Sequence, residues 1–248
     1  MNKYHTANQA NWDDHAPEYK KRVDSQNVWR RCVTEPALAF DIPAEMEALR
    51  DVKGKRVAVL GSGNNVAAFA LAGMGAHVTS VDISKEQLRY AKERAEMLGL
   101  KIAFVVADVT DLSALTDESF DVAYTNEHVA MWVSDLAKFH REAVRILRPG
   151  GLFVIKENHP FRTIWSETSE HMEVARPYGQ RGPFLEDPSG PDVYIFNWTV
   201  ADYINSVMNA GCDLVKFEEC GWESTEEYWI KTPLKGLPEY LFIVGRKR

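Results

Sequence analysis

From residue 55 onward the apolar positions alternate between short unbroken runs and helix-spaced stretches. Val57-Ala58-Val59-Leu60 is a continuous apolar run that stops at Gly61, the pattern of a strand buried on both faces. An alanine-rich helical stretch from about Asn64 to Met74 follows, closed by Gly75. His77–Asp82 reads as a second strand. Ser84 with Gln87 three residues on marks a helix start, Leu88, Ala91, Ala95 and Leu98 repeat at helical spacing, and Gly99 stops them. Ile102–Val106 and Phe120–Tyr124 are the third and fourth strands. Leu136, Phe139, Ala143, Val144 and Leu147 form the inner face of another helix, and Pro149-Gly150-Gly151 turns the chain into a fifth strand, Leu152–Ile155. Strand and helix alternate five times, which predicts a parallel α/β sheet covered on both sides.

The flanks read differently. Residues 1–50 are polar with scattered aromatics (Trp12, Tyr19, Trp29) and predict an N-terminal helical extension, leaving 51–248 as the main domain. Within it, residues 158–198 hold Pro160, Pro177, Pro183, Pro188 and Pro191, too many for a long helix or a central strand, and predict a cap inserted after the fifth strand. Thr199 starts a last helix that Gly211 ends, and two strands near 213–219 and 240–244 complete the chain.

A formal net charge of −7 gives no general attraction for a phosphate backbone and argues against nucleic acid as a partner. Cys32, Cys212 and Cys220 are too scattered for a disulfide framework or a metal site, and read as reduced thiols of a cytoplasmic protein. No apolar run is long enough to cross a membrane.

The chemistry gathers at the strand ends. Gly61-Ser62-Gly63-Asn64-Asn65 lies between a strand and a helix, where glycines let the backbone approach a ligand and the helix start favours an anion. Asp82, ending the second strand, is placed to accept both hydroxyls of a ribose. These features suit a nicotinamide or a methyl donor alike. Val66 occupies the third glycine position of the dinucleotide fingerprint, and Asp108 at the end of the third strand supplies a second carboxylate for an adenine amine. Both observations favour the methyl donor.

Taken in order, Val57–Gly63, Val81-Asp82-Ile83-Ser84, Ala107-Asp108-Val109, Phe120–Tyr124 and Ile146–Gly151 resemble five motifs of the class I S-adenosylmethionine-dependent methyltransferases across residues 55–160. Val59 stands where that family usually carries an acid, and Asn65 at its third glycine position. The resemblance implies a Rossmann-like doubly wound seven-stranded sheet of order 3-2-1-4-5-7-6, its last strand antiparallel. S-adenosyl-L-methionine would be the cofactor, contacted by Gly61, Ser62, Gly63, Asn65, Asp82, Ile83, Asp108, Val109 and Asn126. It also implies that Trp12, Ala16 and Tyr19 belong to a helix over the cofactor.

The fourth strand is followed by Asn126-Glu127-His128 and the fifth by Glu157-Asn158-His159, so two histidines and two carboxylates are expected near the reacting methyl. His128 and His159 are the candidate general bases. Glu127, Trp132, Glu157, Tyr178 and Trp198 are the candidate substrate contacts, and no metal is expected. The acceptor predicted is a small molecule methylated at oxygen or nitrogen. A protein or RNA methyltransferase, a nicotinamide-dependent reductase and a non-catalytic S-adenosylmethionine-binding module are the rivals.

Overall fold

The computed structural model describes residues 1–63, 66–126, 128–165, 173–187, 189–222 and 234–248. Its centre is a seven-stranded sheet. The strands are β1 (Arg56–Leu60), β2 (His77–Asp82), β3 (Ile102–Val106), β4 (Phe120–Thr125), β5 (Leu147–Asn158), β8 (Cys212–Cys220) and β9 (Tyr240–Lys247), in the order β3-β2-β1-β4-β5-β9-β8. β1 to β5 run parallel, and β9 lies antiparallel between β5 and β8. This is the order and the reversed last strand that the sequence motifs imply.

Strand periodicity divides the core into two layers. Val57, Val59, Val122, Tyr124 and Val154 face a layer built with α4 (Ala67–Gly73) and the N-terminal helices α1 (Lys3–Gln26), α2 (Val28–Arg31) and α3 (Pro43–Leu49). Ala58, Leu60, Ala123, Phe153 and Ile155 face the other, closed by α6 (Leu136–Arg145) and α7 (Val200–Asn209). α5 (Lys85–Met97) covers β2 and β3, with Ser84 accepting from the Gln87 N–H at its start.

Two elements differ from the sequence expectation. β5 begins at Leu147, so Pro149-Gly150-Gly151 lies within the strand; Gly150 takes φ +78° where the β4–β5 register shifts, and the predicted turn is an irregularity in pairing. α1 runs through Pro17, whose missing N–H removes only one rung of a 24-residue helix. Between β5 and α7 the chain forms a turn at Pro160–Thr163 and a two-residue hairpin, β6 (Phe184–Leu185) with β7 (Tyr194–Ile195). The hairpin packs on α1, where the Tyr4 ring meets Tyr194 at 4.9 Å and Phe196 at 5.7 Å. None of the helices described is long and apolar enough to cross a membrane.

His140 of α6 is fully buried among Phe139, Phe153 and Tyr203. Its Nδ1 bonds Ser206 Oγ at 2.7 Å, while Nε2 has no partner. Burial pushes its pKa down from 6.5 to about 3. Below pH 6.5 the unfolded chain therefore takes up a proton that the native state refuses, and stability falls with pH by up to about 1.4 kcal/mol per unit from this group. His140→Leu should flatten the acid side of the stability curve by that slope, read from urea unfolding at pH 7, 6 and 5. Parallel curves for variant and parent would show that His140 titrates normally.

Candidate active site

Parallel pairing brings the ends of β1, β2 and β3 to one edge, and a cavity of about 810 Å³, counting its open mouth, lies against them. Gly61 (φ +67°) and Gly63 (φ +45°) form the turn beneath it. The Ser62 N–H continues the β1–β2 ladder to the Val81 carbonyl, and its hydroxyl meets Ser80 Oγ at 2.6 Å, so the turn is anchored from below. Asp82, 8% exposed, accepts from the Gly63 N–H at 2.6 Å and the Ser84 N–H at 2.8 Å. Burial raises its pKa to about 6, against the pull of those N–H groups, and the nearby Asp13 adds to the rise. A Cβ on Gly63 would project into the space beside this carboxylate, 3.7 Å from Oδ2. A Cβ on Gly61 would strike Val129 at 2.4 Å, so the cavity wall after β4 seats directly on the turn.

Asp108 lines the same cavity. Its Oδ1 accepts from the Thr110 N–H and hydroxyl, and its Oδ2 meets His5 Nδ1 at 2.6 Å. The Ser134 N–H donates to His5 Nε2 at 2.9 Å, which leaves the ring proton on Nδ1, directed at Asp108. Burial would raise the Asp108 carboxyl; the His5 and Thr110 hydrogen bonds outweigh it and hold the group below its usual range. His5 is a site residue that sequence reasoning missed, because 103 positions separate it from Asp108. It opens a row of ties from α1. Asn8 bonds the backbone of Tyr194 and Trp132, Gln9 bonds the Ile83 carbonyl, and Asp13 accepts from the Ser84 hydroxyl and the Glu86 N–H. Trp12 and Tyr19 from the same helix line the cavity beside Ile83, Val109 and Trp132.

Trp12, Tyr19 and Trp132 also line a wider groove that continues outward between α1 and the β6–β7 hairpin. Trp12 stands edge-on to Trp132 (5.4 Å, 83°) and to Tyr19 (6.3 Å, 88°), and Arg22 lies over the Tyr19 ring. His15, Glu18, Glu186 and Asp187 form the polar margin. His15 Nδ1 bonds the Asn11 carbonyl at 2.9 Å; a carbonyl only accepts, so Nε2 keeps its lone pair.

The expected bases lie elsewhere. His128, His159, Glu157 and Trp198 line a second, smaller cavity behind segment 128–132, separated from the first by Val129 and Trp132. His159 is fully buried and has both ring nitrogens engaged: Nδ1 accepts from the Phe161 N–H and Nε2 donates to Glu219 at 2.8 Å. In this arrangement no lone pair is left on it for the expected proton transfer. His128 Nδ1 contacts Asn158 Nδ2 at 3.0 Å, and burial, helped by the charges of Arg162 and Lys156, pushes its pKa to about 3, far too weak a base near neutrality. Asn126 is buried without lining the cofactor cavity, and the half-exposed Tyr178 spends its hydroxyl on the Val200 N–H. Asn65 and Glu127 fall outside the described residues.

The cavity suits an adenosyl sulfonium compound. A glycine turn permits close approach, two carboxylates stand at successive strand ends, and the volume lies in the range that encloses a ligand of that size. Residues 58–155 match a protein family described as a methyltransferase domain. The chain is 31% identical over 188 residues to an uncharacterized methyltransferase of Bacillus subtilis, YbaJ, covering 71% of each chain. It is 33% identical over 103 residues to a ubiquinone biosynthesis O-methyltransferase of Caulobacter sp., a match covering 42% of this chain and 40% of that one. Among solved structures, an S-adenosylmethionine-dependent methyltransferase from Mesorhizobium loti superposes with a TM-score of 0.66 at 27% identity, over 84% of this chain and 99% of the other. Motif order, strand order and these likenesses agree: the chain belongs to the class I S-adenosylmethionine-dependent methyltransferases.

Proposed function

We propose that the enzyme methylates an oxygen or nitrogen of a small organic molecule bound in the aromatic groove. The observation that carries this reading is that Trp12, Tyr19 and Trp132 line both the cofactor cavity and the groove. An acceptor lying on those rings would be next to the donor. The groove is aromatic and edged by carboxylates, which favours a small ligand over a phosphate backbone. The name of the Caulobacter relative, an O-methyltransferase of ubiquinone biosynthesis, supports a small acceptor. Residues of α1 and of the 158–198 insertion line the groove together, which supports a cap role for both. The free, buried Cys32 and Cys212 support a cytoplasmic setting.

The bound cofactor supplies an electrophilic methyl; the chain's residues hold and align the two partners. Asp82 accepts the ribose hydroxyls. Asp108 uses three of about four acceptor positions on His5 and Thr110, which leaves one for the adenine amine. The Gly61–Gly63 turn lets the methionine end approach, and Tyr19, Ile83 and Val109 wall the pocket. Most of the acceleration then comes from alignment. When the acceptor carries a proton on its nucleophile, His15 Nε2 is the imidazole lone pair that the groove offers.

Calorimetric titration with S-adenosylhomocysteine should give one saturable site, with NADH and NADPH silent. Asp82→Ala should weaken that binding about tenfold or more, the loss of charged hydrogen bonds worth about 1.5–3 kcal/mol each. Unchanged affinity would remove Asp82 from the site. Once a hydroxyl or ammonium acceptor is found by screening for S-adenosylhomocysteine release, His15→Ala should cut turnover roughly 10²- to 10⁴-fold and leave S-adenosylhomocysteine affinity intact. Full turnover in that variant would mean that alignment alone carries the reaction.

A further inference from the structure

Glu157 is a buried carboxylate, 2% exposed, near the carboxyl end of β5, and it does not line the cofactor cavity. Its strand neighbour Lys156 points to the opposite face, where it pairs with Asp41. The hydrogen-bond partner of Glu157 is instead the Ala130 N–H, which donates to Oε1 at 3.0 Å; the N–H groups of His128 and Val129 also favour the ionised carboxylate. A carboxylate accepting two or three N–H bonds makes some of the stronger hydrogen bonds in a protein interior.

The segment so held is under strain. His128 sits at φ +73°, a left-handed conformation that costs a non-glycine residue roughly 1–2 kcal/mol. The next residue, Val129, places its side chain where a Cβ of Gly61 would have to be. Other ties hold the same segment from the far side: Trp198 Nε1 donates to the Ala130 carbonyl at 2.9 Å, and the Phe196 N–H to the Met131 carbonyl at 2.8 Å. Segment 128–132 is thus a fixed partition, with Val129 and Trp132 on the cofactor side and His128 and Met131 on the other.

We infer that Glu157 is a positioning residue for cofactor binding: by holding the Ala130 N–H it fixes the left-handed bend at His128 and seats Val129 on the Gly61 turn. The inference rests on the reading that the cavity at that turn holds the methyl donor.

The charge state of Glu157 makes the role measurable. Burial raises its carboxyl to about 7, opposed by the N–H groups and by Lys156. The groups that face it or its immediate neighbours are Lys156 of β5, His128 of the partition, Tyr203 of α7, and His159 and Arg162 beyond β5. His128 stays neutral and Tyr203 protonated through this range, so neither confuses the titration. The ionised carboxylate accepts from the Ala130 N–H and is favoured by those of His128 and Val129; the protonated form accepts poorly and brings a hydroxyl of its own. The partition should loosen, and cofactor affinity should fall, as pH drops through about 7. Asp82, held near 6, adds its own decline at lower pH in every variant, so the comparison runs from pH 6.5 to 8.5.

The experiment combines amide hydrogen exchange of the free protein with S-adenosylhomocysteine titrations of the parent, Glu157→Gln, Val129→Ala and the double variant. Glu157→Gln should speed exchange at 128–130, weaken binding about tenfold at pH 8 and abolish the pH dependence. The double variant should bind no more weakly than Val129→Ala, because Glu157 acts through Val129. Should Glu157→Gln fail to fold, Val129→Ala still decides: with Glu157 intact, its affinity should not vary over this pH range. Parent-like affinity in folded Glu157→Gln, or independent multiplying effects of the two substitutions, would overturn the inference. If the parent's affinity proves independent of Asp82, the donor-site reading is what has failed, and the exchange data still report whether Glu157 holds the bend.

Discussion

Parallel pairing of β1 with its neighbours is the constraint from which the site follows. Leu60 is in register with Val81, and Asp82 with Val106, so each strand ends within a residue or two of the next. Parallel strands all deliver their carboxyl ends to one edge, and the connections that leave that edge carry whatever chemistry the fold supports. Here they deliver a glycine turn, Asp82 and Asp108 to one cavity. The same geometry creates a problem: the edge is crowded with backbone groups and carboxylates that the sheet cannot satisfy. The side chains of α1 meet much of that demand. His5, Asn8, Gln9 and Asp13 lie on one side of the helix and bond the loops after β3, β4 and β2.

Asp82 and Asp108 illustrate how neighbouring carboxylates acquire different character. Both are buried, which raises a carboxyl pKa. Asp108 gains a charge-oriented donor in His5 and falls below its usual range, whereas Asp82 faces Asp13 and rises. An Asp82 poised near 6 is sensitive to any cation placed beside it, because a positive neighbour favours ionisation.

The strands and most helix starts were legible in the sequence because they are local: an apolar run of four or five residues, a serine or threonine cap, a glycine stop. Asp82 and Asp108 were legible for the same reason, each ending a recognisable strand. His5 and His15 were not, since nothing in a polar helix marks which side chain meets a loop a hundred residues away. His128 and His159 were expected beside the cofactor and line the smaller cavity instead, for a subtler reason. That β4 and β5 lie side by side could be inferred, but the left-handed bend at His128 could not, and that bend turns the imidazole behind the wall instead of toward the cofactor. The role of Glu157 depends on that bend and was hidden with it.

Burial acts on the site's acids and on the histidines with opposite consequences for stability. Glu157 and Asp82 have native pKa values near 7 and 6, above their ordinary 4.5 and 3.8. Between those limits the native state holds protons that the unfolded chain has lost, so their contribution to stability is greatest in acid and declines as pH rises through 6 and 7. His128 and His140, lowered to about 3, do the reverse and favour the native state most above 6.5. From about pH 4.5 to 6.5 the two slopes oppose, and a flat stability profile there would conceal four perturbed groups. Near neutrality they part company. The histidines contribute fully, while the two carboxylates pass into the ionised form at the expense of folding free energy. The apolar layers on both faces of β1 supply the stability that this arrangement spends.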